Sequence, residues 1–353
     1  MKGFFILLCW LFFSTSFAQG NKSENIILVT LDGFRWQELF NGADSLLIFD
    51  SKYTHDSSSV NLYWHPSPET RREQLMPFLW SVVGNKGQLY GNREYKNVVN
   101  CANPYWFSYP GYSEMLTGWV NKKMSSNRKV VNPNPNILEY INQQPAYEKK
   151  VAAFSTWEVI PYVIRASTNG IYTNEDAQWS DCDSLKKTNP APRSDESTFT
   201  MAFDYLKSYK PKVMFLSLDG TDHHAHGGRY SEYLDYAHLA DSMISELWNW
   251  VQSQENYHDK TTLLITTDHG RGRNKSWKTH GRWAFGSNQM WFAVIGPDTP
   301  PSGEIKSPGR YYQKQLARTI GSFLELNYDH PVNPIADRIE QMFYPRTTIV
   351  VAH

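Results

Sequence analysis

Thr261-Thr262-Leu263-Leu264-Ile265-Thr266-Thr267-Asp268-His269-Gly270 is the stretch from which the fold can be read. Its apolar run is short, partly β-branched and closed by a glycine, which is the pattern of a buried strand. An aspartate beside a histidine at the carboxyl end of such a strand stands where open α/β sheets place their ligands. Taken alone, Asp-His-Gly also suits an ordinary turn with a surface histidine. Other stretches repeat the arrangement, however. The run from Asn25 to Leu31 ends at Asp32-Gly33, and Val213-Met214-Phe215-Leu216-Ser217-Leu218 is followed by Asp219, Asp222, His223, His224 and His226. Continuous apolar runs of this kind belong to strands covered on both faces, as in a parallel sheet.

Between these runs the pattern predicts helices over 68–83, 136–144, 157–165, 194–207, 230–252 and 311–326, and further strands over 149–154 and 289–296. Strands alternating with helices imply an α/β fold, a doubly wound and mostly parallel sheet flanked by helices. The polar, irregular stretches within 41–67 and 121–194 read as cap insertions in a single domain spanning 19–353. There is no internal repeat and no low-complexity tract.

Of 353 residues, 41% are hydrophobic, enough for a substantial core, and 35 basic residues balance 35 acidic ones. That balance gives no bulk electrostatic case for nucleic acid or an anionic membrane. Residues 1–18 have the form of a secretory signal, with Lys2 at the start, a short apolar core from Phe4 to Phe13, and Ser16-Phe17-Ala18 before a cleavage point. The expected location is periplasmic or secreted, with no later stretch able to span a bilayer. Cys101 and Cys182 remain in the mature chain. They can pair in an oxidising compartment if they lie close enough, and they lack the Cys-x-x-Cys spacing of a thiolate zinc site.

Parallel strands bring their carboxyl ends to one edge, so Asp32, the Asp219–His226 cluster, Asp268 and His269 can converge there, joined by His280 in Lys278-Thr279-His280-Gly281. Asp222 and His226 are four residues apart and share a face if the chain turns helically after its strand. Oxygen and imidazole ligands without thiolates suit zinc, manganese or iron, and six of them fit a pair of metals about 4 Å apart.

Leu31-Asp32-Gly33-Phe34-Arg35-Trp36, Asp222-x-x-x-His226, Asp268-His269-Gly270 and His280-Gly281 resemble the ordered metal motifs of the alkaline phosphatase superfamily. The first is most similar to the nucleotide pyrophosphatase/phosphodiesterase branch. The resemblance implies a hydrolase with two zinc ions. Asp32, Asp268 and His269 would hold the metal that activates the nucleophile, and Asp222, His226 and His280 the other. Asp219 is an alternative to Asp222, and His223 or His224 to His226.

The segment Phe107-Ser108-Tyr109-Pro110-Gly111-Tyr112-Ser113 enters an apparent helix, where a hydroxyl gains from the local positive potential and free N–H groups can cradle a phosphoryl oxygen. Its similarity to the superfamily's Thr-Phe-Pro-Asn-His stretch aligns Ser108 with the nucleophile, and Ser113 is the spare. Gly111 and Tyr112 depart from that pattern, replacing its Asn and His. Tyr112 also stands where a sulfatase would need Arg. Without an Asn at 111, the candidate phosphate ligands are Arg35, Asn103, Lys275, Lys278 and Arg282. A basic loop over 271–282 favours a dianionic monoester, whereas Tyr105-Trp106-Phe107 suits stacking on a nucleoside. The expected substrate is a small phosphodiester or nucleotide pyrophosphate. Monoester hydrolysis is the close alternative and phosphoryl transfer to an alcohol the more distant one.

Overall fold

The computed structural model describes residues 22–174, 193–330 and 332–345. The candidate signal segment, the 175–192 part of the second insertion and Cys182 lie outside the described residues.

Eleven strands are described: β1 Asn25–Leu31, β2 Gln88–Tyr90, β3 Asn97–Asn100, β4 Val151–Ser155, β5 Tyr172–Thr173, β6 Val213–Leu218, β7 Thr261–Thr266, β8 Gln289–Met290, β9 Phe292–Ile295, β10 Gly303–Glu304 and β11 Gly309–Tyr312. Eight form one sheet in the order β10-β2-β9-β7-β1-β6-β4-β5, and β11-β3-β8 form a smaller one. The central strands β7, β1, β6 and β4 run parallel. Only β9 runs against its two neighbours in the large sheet.

Alternation along each central strand sends side chains to two separate cores. Val29, Leu31, Met214, Leu216, Leu263 and Ile265 pack on the face covered by the helix Tyr230–Ser253. Ile26, Leu28, Val213, Phe215 and Leu264 pack on the other, against the helices Ser108–Thr117, Ile137–Asn142 and Leu316–Phe323. No helix among the described residues is long and apolar enough to cross a membrane.

Register decides what meets at the carboxyl edge. Thr30 is level with Thr266, and Leu31 with Leu218. One residue beyond each pairing, Asp32 stands beside Asp219, and two beyond, Asp32 is level with Asp268.

Several sequence boundaries are displaced for local reasons. The helix expected over 68–83 stops at Leu75, because Pro77 disfavours the helical backbone at Met76, whose φ is −128°. A π-helical turn at Leu79–Val83 then resumes the direction. The 157–165 helix breaks into Ile160–Val163 and Ala166–Asn169, with Arg165 at φ +62° between them. The 289–296 strand divides at Trp291, so β8 serves the small sheet and β9 the large one. Tyr311 and Tyr312 finish β11 rather than begin the helix, which runs Leu316–Phe323.

Candidate functional site

Asp32 leaves β1 in a turn that requires Gly33. This residue has φ +60°, and a Cβ there would come within 2.7 Å of Asp222 Oδ1. Its amide donates to Asp268 Oδ1 at 3.1 Å, which leaves Oδ2 facing inward. Tyr112, fully buried, donates its hydroxyl to Asp32 Oδ2 at 3.0 Å and thereby turns Oδ1 inward as well. Asp32 Oδ1 and Asp268 Oδ2 are both buried without a hydrogen-bond partner. His269 places Nδ1 2.8 Å from the Gly270 carbonyl, so Nδ1 carries the proton and Nε2 presents a lone pair.

That Nε2 lies 3.4 Å from Asp32 Oδ1, 3.4 Å from Asp268 Oδ2 and 3.3 Å from Ser108 Oγ. Ligands about 3.3 Å apart are what a tetrahedral ion with bonds of about 2.0–2.1 Å requires. Partnerless carboxylate oxygens directed at an imidazole lone pair fit a bound cation.

The second group of donors comes from the helix Gly220–His226, whose first turn is held by Asp195, which accepts from the amides of Asp219 and Gly220 at 2.9 Å each. Helical spacing puts Asp222 Oδ2 3.1 Å from His226 Nε2. His280 arrives from the loop after β7, its Nε2 2.9 Å from that of His226. Asp222, His269 and His280 share one potential ligand cluster, and Asp32, Asp219 and Asp222 another. Asp219 thus lies beside Asp222, within reach of the same cluster. Among the described residues His223, His224 and His226 join none of these clusters; His226 reaches the site through Asp222 and His280, whereas the His224 ring packs against Tyr236 at 4.3 Å and His223 is exposed.

The electrostatics reflect this crowding. Burial, then the neighbouring Asp268, Asp222 and Asp219, push Asp32 well above the usual carboxylate range. Burial and then Asp222 do the same to Asp219. Asp268 is also raised, chiefly by burial. Asp222 is the exception: burial would raise it, but the Arg271 guanidinium holds it well below. Burial and the adjacent His269 press His280 down to about 2, leaving it neutral. Carboxylates so close can all ionise only against positive charge.

Ser108 is the first residue of its helix and is buried. Gly111 follows because the helix crosses the Asp268 backbone, where a Cβ would lie 2.4 Å from the carbonyl oxygen. An Asn has no room there. The cradle of free amides expected at this helix start is smaller than the sequence suggested. The Tyr109 amide donates to Asn127 Oδ1 at 3.0 Å, Pro110 has none, and the Gly111 amide bonds the Phe107 carbonyl. Ser113 accepts from Asn132 Nδ2 at 2.9 Å, in the interior.

The candidate phosphate ligands separate into two groups. Arg35 is buried, committed to Glu38 and Asp44. Asn103 is buried too, donating to Glu114 and accepting from the amides of Tyr105 and Trp106. That capping holds Trp106 in a left-handed backbone, φ +57°, two residues before Ser108. Lys275 and Arg282 are exposed and Lys278 partly so, in the loop that carries His280. Sequence reasoning missed Asn127, Tyr112 as a partner of Asp32, and Arg271 as a partner of Asp222. Tyr112 and Arg271 stand inside stretches the sequence singles out, but nothing local names their partners, and Asn127 sits in no recognisable spacing.

The fold, and a site with Asp and His at the carboxyl edge of its sheet, define a member of the alkaline phosphatase superfamily. Solved structures with this architecture include wild-type alkaline phosphatase PafA (10% identity, TM-score 0.57, covering 92% of this chain and 99% of that one). Another is the C-terminal periplasmic domain of EptC from Escherichia coli in complex with zinc (14%, 0.55, 92% and 89%). A third is an inactive form of murine ectonucleotide pyrophosphatase/phosphodiesterase 5 in complex with AMP (13%, 0.52, 88% and 97%). The chain matches the family model of type I phosphodiesterases and nucleotide pyrophosphatases over residues 48–285, and it belongs to that family. It is a phosphoester hydrolase. No curated protein matches it in sequence.

Proposed function

We propose that the chain uses two metal ions, zinc foremost, to cleave phosphodiester or nucleotide pyrophosphate bonds through a phosphoseryl intermediate. The observation that carries this reading is the convergence of Ser108 Oγ with Asp32 Oδ1 and Asp268 Oδ2 on His269 Nε2, at 3.3–3.4 Å. Asp32, Asp268 and His269 would hold one ion and Asp222, His226 and His280 the other. When bound, such ions lower the pKa of a coordinated hydroxyl and stabilise charge on the reacting oxygens. Manganese or iron would suit the same donors.

The protein's own part is positioning. Ser108 Oγ attacks phosphorus in line, and the bond to the leaving oxygen breaks on the opposite side. Water then cleaves the Ser108 ester and releases the phosphate product. Asn127, exposed and anchored through its Oδ1 beside the helix start, leaves its amide group free to donate to a non-bridging oxygen. The Ser108 amide can add a second donor.

The diester reading is supported by the apolar surface at this end of the molecule. Trp283 and Phe285 are 90% and 71% exposed in the segment after His280. The fold likeness to a phosphodiesterase solved with AMP supports trying nucleotides. A monoester is favoured instead by the exposed cations Lys275 and Arg282 in the same loop. A periplasmic or secreted location rests on the form of residues 1–18. The deciding experiment compares the zinc-loaded protein on bis-p-nitrophenyl and p-nitrophenyl phosphate, with Ser108→Ala as control. A diester preference abolished by the substitution is expected. Undiminished activity in Ser108→Ala would sink the nucleophile assignment.

A further inference from the structure

We propose that Arg271 is a positioning residue for the Asp222–His226–His280 metal site, setting both the ligand atom Asp222 offers and the place from which His280 reaches it. The inference rests on the two-metal reading above. Arg271 is wholly buried, and its guanidinium touches three groups at once. Nε donates to the Trp277 carbonyl at 2.8 Å, Nη2 to the Lys278 carbonyl at 2.6 Å, and Nη1 to Asp222 Oδ1.

Each contact has a consequence. The bond to Asp222 occupies Oδ1 and leaves Oδ2, on the His226 side, as the oxygen available to a cation. The same Nη1 lies 2.8 Å from where a Gly33 Cβ would be, so the turn carrying Asp32 is also shaped around it. The two carbonyls belong to the loop that delivers His280. This loop closes through the Gly272 amide on the Thr279 carbonyl at 2.9 Å. Asp222 and His226 stand on a helix on one side of the site, while His280 stands on a loop from another strand. Arg271 bonds both. The planar fork of arginine can serve three acceptors in fixed directions, which a lysine ammonium on a flexible stem cannot do. Groups that orient metal ligands in this way typically alter metal affinity by about 10–100-fold when removed.

A buried cation also repels a metal ion nearby, which is an effect of opposite sign. The two make contrary forecasts. Zinc stoichiometry and affinity are measured by competition with a chromogenic chelator, and cobalt-loaded samples are followed by visible absorption. Wild type is expected to hold two ions. Arg271→Met is expected to keep one at unchanged affinity, with the second weakened about 10–100-fold. Arg271→Lys should resemble Met rather than wild type, and it answers the same question if the Met variant does not fold. Retention of the first ion, with an unchanged cobalt spectrum for it, separates a selective loss from general misfolding. Two ions bound at wild-type affinity in both variants, or a second ion bound more tightly, would overturn the inference while leaving the metal reading intact. A wild-type protein that binds no zinc and no cobalt would overturn both.

Discussion

At the scale of single residues, the site depends as much on missing side chains as on present ones. Gly111 passes so close to the Asp268 carbonyl that a Cβ would sit 2.4 Å from its oxygen. Gly111→Asn, which restores the family pattern on paper, should therefore destabilise the protein by about 1–3 kcal/mol and abolish turnover, as read by urea denaturation and diester hydrolysis. Tyr112→Phe keeps the volume but strips Asp32 Oδ2 and Ser217 Oγ of a shared partner. A loss of about 1–3 kcal/mol is expected for leaving such buried groups unpaired, with a fall in kcat larger than any change in KM. Asn127→Ala should lower kcat/KM about 10²–10³-fold if its amide serves the transition state, measured on the substrate that wild type prefers. These residues also mark how far the sequence could be read. Asp32, Asp268 and His269 stand out because an acid or imidazole follows a strand end and a glycine closes the turn, Asp222 and His226 because of their helical spacing, and His280 because of the glycine after it. Asn127 and Arg271 act through partners that only tertiary structure brings near. Arg35 and Asn103 looked like ligands because nothing local reveals Glu38 and Glu114 waiting for them.

At the scale of elements, the strands were legible and the helix ends were not. Long apolar runs state their own burial, whereas short strands such as Gln88–Tyr90 and Gly303–Glu304 exist only because a neighbour supplies their hydrogen bonds. The broken helix over 68–83 shows what such an interruption requires. Asp241, from the helix Tyr230–Ser253, accepts from the amides of Phe78 and Leu79 at 2.7 and 3.0 Å and so caps the resumed turn. Burial, only partly offset by those two amides, raises its carboxyl to about 7. A raised pKa means that the folded state holds the proton more tightly. The stability from Asp241 is thus fully present below about pH 4 and lost as pH rises towards 7, by up to about 4 kcal/mol. Thermal denaturation of Asp241→Asn across that window should show a flatter pH dependence than wild type. An equal slope would mean that other groups dominate.

At the scale of the whole molecule, the parallel register of β1, β6 and β7 stacks carboxylates at one edge of the sheet, where they repel one another in the interior. The folded protein should consequently be a metal-stabilised one. Chelation is expected to lower Tm, and zinc at about a hundred times Kd should restore about 2.7 kcal/mol per site. The difference between loaded and stripped protein should shrink as acid protonates the ligands. Scanning calorimetry with and without chelator at two pH values tests both statements. An unchanged Tm would place the ions outside the folding equilibrium.

Residues 268–280 carry Asp268 and His269 at one end and His280 at the other, with Arg271 folded between them. A single ribbon of chain would thus serve both halves of the proposed centre, and its two ends need not set at the same moment. The Asp268 end is rooted in β7, whereas the His280 end stands on a loop held by its own hydrogen bonds and by Arg271. Assembly should therefore be ordered in time. The amides of Gly272, Ser276, Trp277 and Thr279, bonded within the loop, should exchange with deuterium more slowly after the second equivalent of zinc than after the first.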